Sequence, residues 1–575
     1  MPGQPKAPFF VVLILVVLGL IGFSAYRWGN IIAPTAGKGH VQLGGPIDPK
    51  ELGHSAETGE ATSTTTVTEY RFKPSERLPE VKGTSAYSLK DNTVRFALNV
   101  WAGWGPIILA NEGFKPGKVW KTPDGQDFKV ELVLIDDPVK MRDAYAAGEV
   151  QIGWATLDMV PLFVDGLVKT GDSRIMPRIY QQIDWSNGGD GIVVREDIKT
   201  VADLRGKKMV MAQNSPSQYF ALNMLVAGGV QPAEVNLQYT EDAFQAAAAF
   251  NADKTISGAV SWAPDIYTLA DVKGNRMLVT TQTASRLIAD VWFARADFAK
   301  DHPGKIEALV RGIFDAMEEL KDPEKKQKCA DFMGKGYNIP PTDAIKMFGD
   351  AHNTNWAENY QFFMNQNNPT NFERIWRQAY YLYRRMGAIS SQNVPFDAVM
   401  DFSVIEKLRG EEKYSTQKNE YKPTYAPMAA SDVKAESEEI VSKPITINFD
   451  LNSFDLRRTI TREVDGRMVQ DLYDPSVDAK LEEIAKLTEQ FGNARVVIEG
   501  HTDSSMMGKA VESLVKKLSD DRAKAVKNAV VEKFKLDPNK FSAVGMGWDV
   551  PADPNEPLNQ FKNRRVEIKI YRAEK

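Results

Sequence analysis

The side chains with the most evident chemical potential are a base and an acid in unusual settings. Arg522 falls in the row Leu518, Arg522, Val526, Val530 on the apolar face of a helix that also carries Leu514, Ala525 and Ala529. A guanidinium there must snorkel to water or meet a buried anion. Asp503 ends the run Gly500-His501-Thr502-Asp503, just past the strand-like Arg495-Val496-Val497-Ile498-Glu499. A carboxylate and a guanidinium offered side by side suit a zwitterion. The bland account is a turn-capping Asp503 and a surface ion pair for Arg522, worth under about 1 kcal/mol.

A second set is aromatic. Trp101, Trp104, Trp154, Trp185, Trp262 and Trp292, six of the eleven tryptophans, stand at or near predicted strand ends. Residues so far apart in sequence converge only if those ends face one cleft. Asn214-Ser215-Pro216-Ser217 opens a helix there, and its hydroxyls and free N–H groups form an anion seat. Each tryptophan alone could equally fill core, and Ser215 could be only an N-cap. The chain has no Walker-type glycine loop, no His-Glu-x-x-His and no Gly-x-Ser-x-Gly. Its five histidines, His40, His54, His302, His352 and His501, lack metal-ligand spacing. Neither catalysis, nor a cofactor, nor a metal is expected.

The elements that must position these groups follow from the apolar pattern. From Val94 to about Lys407, short apolar runs alternate with helical stretches. Arg95–Val100 leads to a helix opened by Pro106, Val150–Gly153 to Thr156-Leu157-Asp158, Lys208–Ala212 to Ser215, and Ile256–Val260 to a helix opened by Pro264. Such alternation predicts α/β layers on a largely parallel sheet. Aromatic helices over Pro303–Gly387 pack on this domain or offer a partner surface. Beyond residue 444 the predicted order is β-α-β-α-β-β: a strand at Ile445–Phe449, a helix at Val477–Phe491, the strand and helix around Asp503 and Arg522, and a final half-buried strand at Arg565–Tyr571.

Residues Ile445 to Tyr571 resemble the OmpA-like peptidoglycan-binding domain. The marks are Asn448-Phe449-Asp450, Gly500-His501-Thr502-Asp503, Leu518-Ser519 with Arg522-Ala523, Gly545-Met546-Gly547 and Asn563-Arg564-Arg565-Val566-Glu567-Ile568. The resemblance implies binding of the diaminopimelate stem peptide. Asp503 would take its ammonium and Arg522 a carboxylate, with Thr502, Asn563 and Arg565 completing the site. Val515 stands where the family usually has Asn, and the loop from Asp503 to Leu518 is longer than usual.

The middle domain resembles periplasmic solute-binding proteins of the nitrate/sulfonate/taurine type. The resembling stretches are Asp184–Gly191, Thr200–Lys208, Asp242–Phe250, Trp262-Ala263-Pro264-Asp265 and Ile288–Val291. The resemblance implies two lobes, about 93–191 with 287–410 and about 192–286, closing by a hinge on a small organic anion or zwitterion. The implied ligand residues are Trp101, Trp104, Trp154, Thr156, Trp185, Asn187, Ser215, Ser217, Trp262 and Asp290.

Three further regions complete the chain. Ala7–Tyr26 carries no charge, and at helical rise it spans about 30 Å, a bilayer core. It is expected to be a retained inner-membrane anchor within residues 1–29; the rival, a cleaved signal peptide, fits less well because a cut after Ala25 would put Phe23 where a small residue is wanted. Residues 30–92 and 411–443, rich in Pro, Ser, Thr or charge, read as flexible linkers that let the folded parts move independently. A net charge of −5 excludes a nucleic-acid binder held by phosphate contacts, and the lone Cys329 excludes an intrachain disulfide. The expected protein is thus a periplasmic tether and receptor at the inner membrane, with a transporter permease or another envelope protein as client. The alternative is a scaffold whose receptor-like domain binds protein.

Overall fold

The computed structural model describes residues 69–263, 265–390, 394–464 and 466–572, all within one compact unit. The expected anchor and most of the first linker lie outside these residues. Among the described residues no helix is long and apolar enough to cross a membrane.

The middle region builds two mixed sheets. The first has seven strands, in the order Ala351–Asn353, Pro177–Ser186, Ala289–Arg295, Ile152–Thr156, Thr93–Leu98, Asp127–Leu134 and Trp120–Lys121. The second has five: Asn275–Thr280, Asp190–Arg195, Gly258–Trp262, Lys208–Ala212 and Asn236–Thr240. Ile152–Thr156 and Ala289–Arg295 are buried at every position, as strands covered on both faces must be. A largely parallel sheet was expected. Parallel pairs do form both centres, but the strands that enter and leave each lobe run against them. The chain crosses between the sheets at residues 187–189 and again at 281–288. The helices Trp356–Met364 and Phe372–Arg385 bury Trp356, Phe362, Trp376 and Tyr383, so their aromatics serve packing.

Both supposed linkers are tied down where they are described. Residues 69–92 run across both lobes, held at their start by Arg385 of the first, whose Nη2 donates to Tyr70 O (3.1 Å). Tyr70 Oη donates to Val226 O (3.2 Å), Arg71 N to Gln231 Oε1 (2.7 Å) and Lys73 Nζ to Val235 O (3.0 Å). Beyond these, Ser75 N donates to Met386 O, and Arg295 Nη2 to Ser85 O at 2.8 Å. Residues 411–443 hold helices at Glu412–Ser415 and Ala430–Glu436, and Tyr414, Tyr425 and Val433 are buried. The predicted strand at Ile445–Phe449 lies earlier, at Glu439–Ile445, so the terminal domain begins inside the supposed spacer.

The terminal sheet has four strands, Glu439–Ile445, Arg565–Arg572, Ala494–His501 and Phe541–Gly547, with helices Val477–Gln490 and Glu512–Phe534 between them in sequence. This is the expected order with one insertion, the hairpin Thr459–Val464 and Arg467–Leu472. The domain docks on both lobes instead of swinging free. Arg572 Nη2 donates to Leu278 O (3.0 Å), Asn493 Nδ2 to Gln282 O (2.9 Å), and Arg276 pairs with Glu438 (2.9 Å) on the second lobe. On the first, Arg374 pairs with Glu482 at 2.9 Å, and Lys486 donates to Gln378.

Candidate functional sites

The end of the terminal sheet gathers the five sequence marks. Two glycines make this possible. A methyl group at Gly500 would land on the carbonyl oxygen of Ser519, and one at Gly545 on that of Lys516. The helix Glu512–Phe534 therefore lies directly on the strands. Ser519 Oγ accepts from Gly547 N (3.0 Å) and donates to Lys516 O (2.9 Å), while Thr502 N donates to Gly547 O (2.8 Å). Ser519 and Ala523 both face Gly500, so Arg522 comes from the helical turn beside the strand end that leads to Asp503.

Arg522 is 2% exposed, with its guanidinium 5.0 Å from the Phe449 ring centre. Its Nε donates to Ser453 O (2.9 Å) and an Nη2 to Asp450 O (3.4 Å). The base in the apolar row thus meets carbonyl oxygens of the loop that follows the Asn448-Phe449-Asp450 mark. Asp503, 1% exposed, accepts from Ser505 N (2.6 Å) and pairs with Arg564. Thr502 Oγ1 is buried without a partner among the described residues.

Asn563 and Arg565 do other work than expected. Asn563 is fully buried; its Oδ1 accepts from Ala552 N and its Nδ2 donates to three carbonyls of residues 556–559. Arg565 donates to Val550 O and pairs with Glu567 (3.3 Å). Both tie the loop before the last strand. Arg564, not Arg565, reaches Asp503. Strand parity could have found it, because Arg565 shares a face with Glu567 and leaves its neighbour for the other side.

On the opposite sheet face Glu499, His501 and Glu567 bring ligand atoms within 4.8 Å of one another. Lys434, from the helix Ala430–Glu436, pairs with Glu499, and Lys569 lies 3.7 Å from it. Burial opposes ionisation of Glu499, but contacts from His501, Lys434 and Lys569 outweigh it and hold the carboxyl at about 2. The Lys434 and Lys569 ammonium groups already balance Glu499.

The second candidate lies between the lobes. Asp184, Asp290 and Thr156 are direct neighbours across three strands, so their side chains leave the first sheet on one face. The indole N–H of Trp101 donates to Asp184 (3.2 Å), and Ser186 Oγ donates to Asp190 (2.7 Å). Asp158, in the turn after Thr156, is approached by Tyr383 Oη at 3.5 Å. All four acids are at most 5% exposed. Burial pushes Asp158 up to about 7, with Asp190 adding to the rise against the nearby Thr156 and Tyr383 hydroxyls. Burial also raises Asp190 to about 6 and lifts Asp184 and Asp290 well above the carboxylate range.

The remaining expected ligand residues divide. Trp101 lies over Gly189 of the first crossing, and Trp262 is half-buried directly across from Asp190. Asn187 accepts from Tyr421 Oη (2.6 Å) within that crossing. Trp185 packs edge-on against Phe362 (5.6 Å), and Trp154 donates to Ile135 O (3.0 Å). Trp104 is a correction: fully buried against Phe96, with its N–H on Asn99 (2.7 Å), it belongs to the core. Trp292 is likewise fully buried and donates to Gln181. Ser215 caps its helix and donates to Ala212 O (2.8 Å), whereas buried Ser217 Oγ has no partner among the described residues. Sequence reading missed Asp158, Asp184 and Asp190, which lie singly at strand ends.

Two lobes joined by two crossings, with buried acids between them, and a docked four-stranded α/β domain define a two-lobed α/β body with a terminal module. Residues 126–326 match the NMT1/THI5 like family and residues 470–565 the OmpA family, so the chain is a fusion of these two domain types. It is 28% identical over 216 residues to the taurine-binding periplasmic protein of Escherichia coli, covering 36% of this chain and 64% of that one. It is 35% identical over 132 residues to outer membrane protein Omp38 of Acinetobacter baumannii, covering 23% of this chain and 34% of that one. The periplasmic aliphatic sulphonate binding protein SsuA from Escherichia coli aligns with 54% of this chain and 97% of its own, at 16% identity and a TM-score of 0.41. The chain therefore spans less than two thirds of each of these two sequence relatives.

Proposed function

We propose that this is an envelope protein that grips peptidoglycan through its OmpA-family domain and closes its two lobes on a small organic solute. The reading rests on the gathering of the five marks, Asp503 and Arg522 among them, at one end of the terminal sheet. Asp503 takes the ammonium of a diaminopimelate stem, which displaces the Arg564 guanidinium, and Arg522 takes the carboxylate. The likeness to a taurine-binding protein supports an anionic or zwitterionic solute. The uncharged run Ala7–Tyr26 supports a single inner-membrane anchor with the bulk in the periplasm, where a transporter permease or another envelope protein is the client.

Pull-down of the full chain on purified sacculi tests the wall site. Asp503→Ala and Arg522→Ala should each abolish retention while circular dichroism stays native; undiminished retention of both refutes the assignment. A second reading, a scaffold that takes a protein between or beside its lobes, is favoured by the strap at residues 69–92 and the docked terminal domain, which hold the lobes together without a solute. Dialysis of radiolabelled taurine against the full chain separates the two: retention supports the receptor.

A further inference from the structure

The buried acids between the lobes lack any balancing base. Among the described residues, no Lys, Arg or His pairs with Asp158, Asp184, Asp190 or Asp290; after burial itself, the groups that perturb them most are one another, Asp350, hydroxyls and an indole, and Asp184 and Asp290 are hydrogen-bonded to each other. Carboxylates out of water cannot all ionise unless a cation joins them. A second observation points to what is missing. Thr156 faces Asp290 from the adjacent strand on the same side of the sheet and is 4% exposed; its hydroxyl lies near enough to Asp158 to favour the carboxylate, yet among the described residues neither it nor Oδ1 of Asp158 makes a close hydrogen bond. Unpaired buried polar atoms beside unneutralised acids are costly unless a ligand engages them.

Among the described residues only Glu499, His501 and Glu567 bring three acid or histidine ligand atoms within 4.8 Å of one another, so no three of these aspartates make a ready metal sphere. A pair of acids with the Trp101 indole against Asp184 fits an organic ammonium.

We infer that the solute held between the lobes carries an ammonium group, received by the Asp290 and Asp184 pair with Thr156 and Asp158 beside it. This rests on the solute-receptor reading and narrows it, since nitrate and simple sulfonates lack such a group. At the neutral pH of binding the ammonium supplies the positive charge the acids need, and the Thr156 hydroxyl gains a close partner.

The test is isothermal titration of the full chain with matched probes: taurine against isethionate, β-alanine against 3-hydroxypropionate, and putrescine against 1,4-butanediol. Each pair exchanges ammonium for hydroxyl. The amine member should bind at least tenfold more tightly in any pair that binds. Asp290→Asn should abolish that preference while raising the melting temperature of the free protein, a combination a merely structural residue would not give. Asp184→Asn serves as the second variant. Binding of isethionate or nitrate as tight as that of taurine overturns the inference and leaves the solute receptor standing. Amine binding unchanged in both variants overturns it too. Silence of every probe, alongside the loss of labelled taurine on dialysis, overturns both.

Discussion

Asp158→Asn gives the most quantitative test of how the interlobe acids behave. The carboxyl is fully buried in the turn after Ile152–Thr156. The groups that face it are Asp190 and Asp290 on the crossing strands, Tyr219 on the helix Pro216–Ala227 and Tyr383 on Phe372–Arg385. It titrates at about 7 in the folded chain, against 3.8 when exposed. A raised acid leaves folding unpenalised below pH 4. The penalty grows between pH 4 and 7 and is complete above 7. About three pH units at 1.36 kcal/mol each make roughly 4 kcal/mol at pH 8. An amide has no charge to strip of water, so Asn should recover most of that. At about 2 °C per kcal/mol for a domain of this size, the gain is roughly 5–8 °C in melting temperature at pH 8 and close to nothing at pH 4. Scanning calorimetry of both proteins between pH 4 and 8 checks it. A shift equal at both pH values, or a destabilisation at pH 8, would refute the account of Asp158 as an unneutralised acid.

Three further outcomes are expected. Gly500→Ala drives a methyl into the Ser519 carbonyl, which should cost about 1–3 kcal/mol in urea unfolding of the terminal domain and weaken sacculus retention; wild-type stability would show that the helix does not lie so close. Arg276→Glu combined with Arg374→Glu sets like charges against Glu438 and Glu482 and should release the terminal domain, read as a larger radius of gyration in small-angle scattering; an unchanged radius counts against the docking. Cys329 is buried, donates to Gly105 O (3.2 Å), and burial pushes its thiol up to about 12. Its alkylation at pH 8 should therefore run about a thousandfold slower than that of the unfolded chain, and comparable rates would contradict that burial.

Much of the terminal site could be read from sequence because its marks are local words. Gly500, Gly545 and Gly547 announce close approach, and Arg522 announces itself by interrupting an apolar row. The mixed sense of the two lobe sheets was less visible, since strands that return through a second lobe look in sequence like any other. The region 411–443 misled for a compositional reason: its Pro, Ser and charged residues outnumber Tyr414, Tyr425 and Val433, yet those few apolar side chains decide that it packs. Asp158, Asp184 and Asp190 were the hardest of the interlobe acids to foresee. They and Asp290 stand on different strands or turns, and only strand register reveals that Asp184, Asp290 and Thr156 stand side by side.

The segment from Glu69 to Asn92 gives the two-lobed body a mechanical side. Its first described residues, Glu69 and Tyr70, are fastened to both lobes at once, at Arg385 of the first and at Val226 and Gln231 of the second. A load drawn along the chain from before Glu69 would therefore reach both lobes at that one clasp. Tension on the polypeptide would bear on the hold between the lobes, much as a cord threaded through a clasp pulls on both halves.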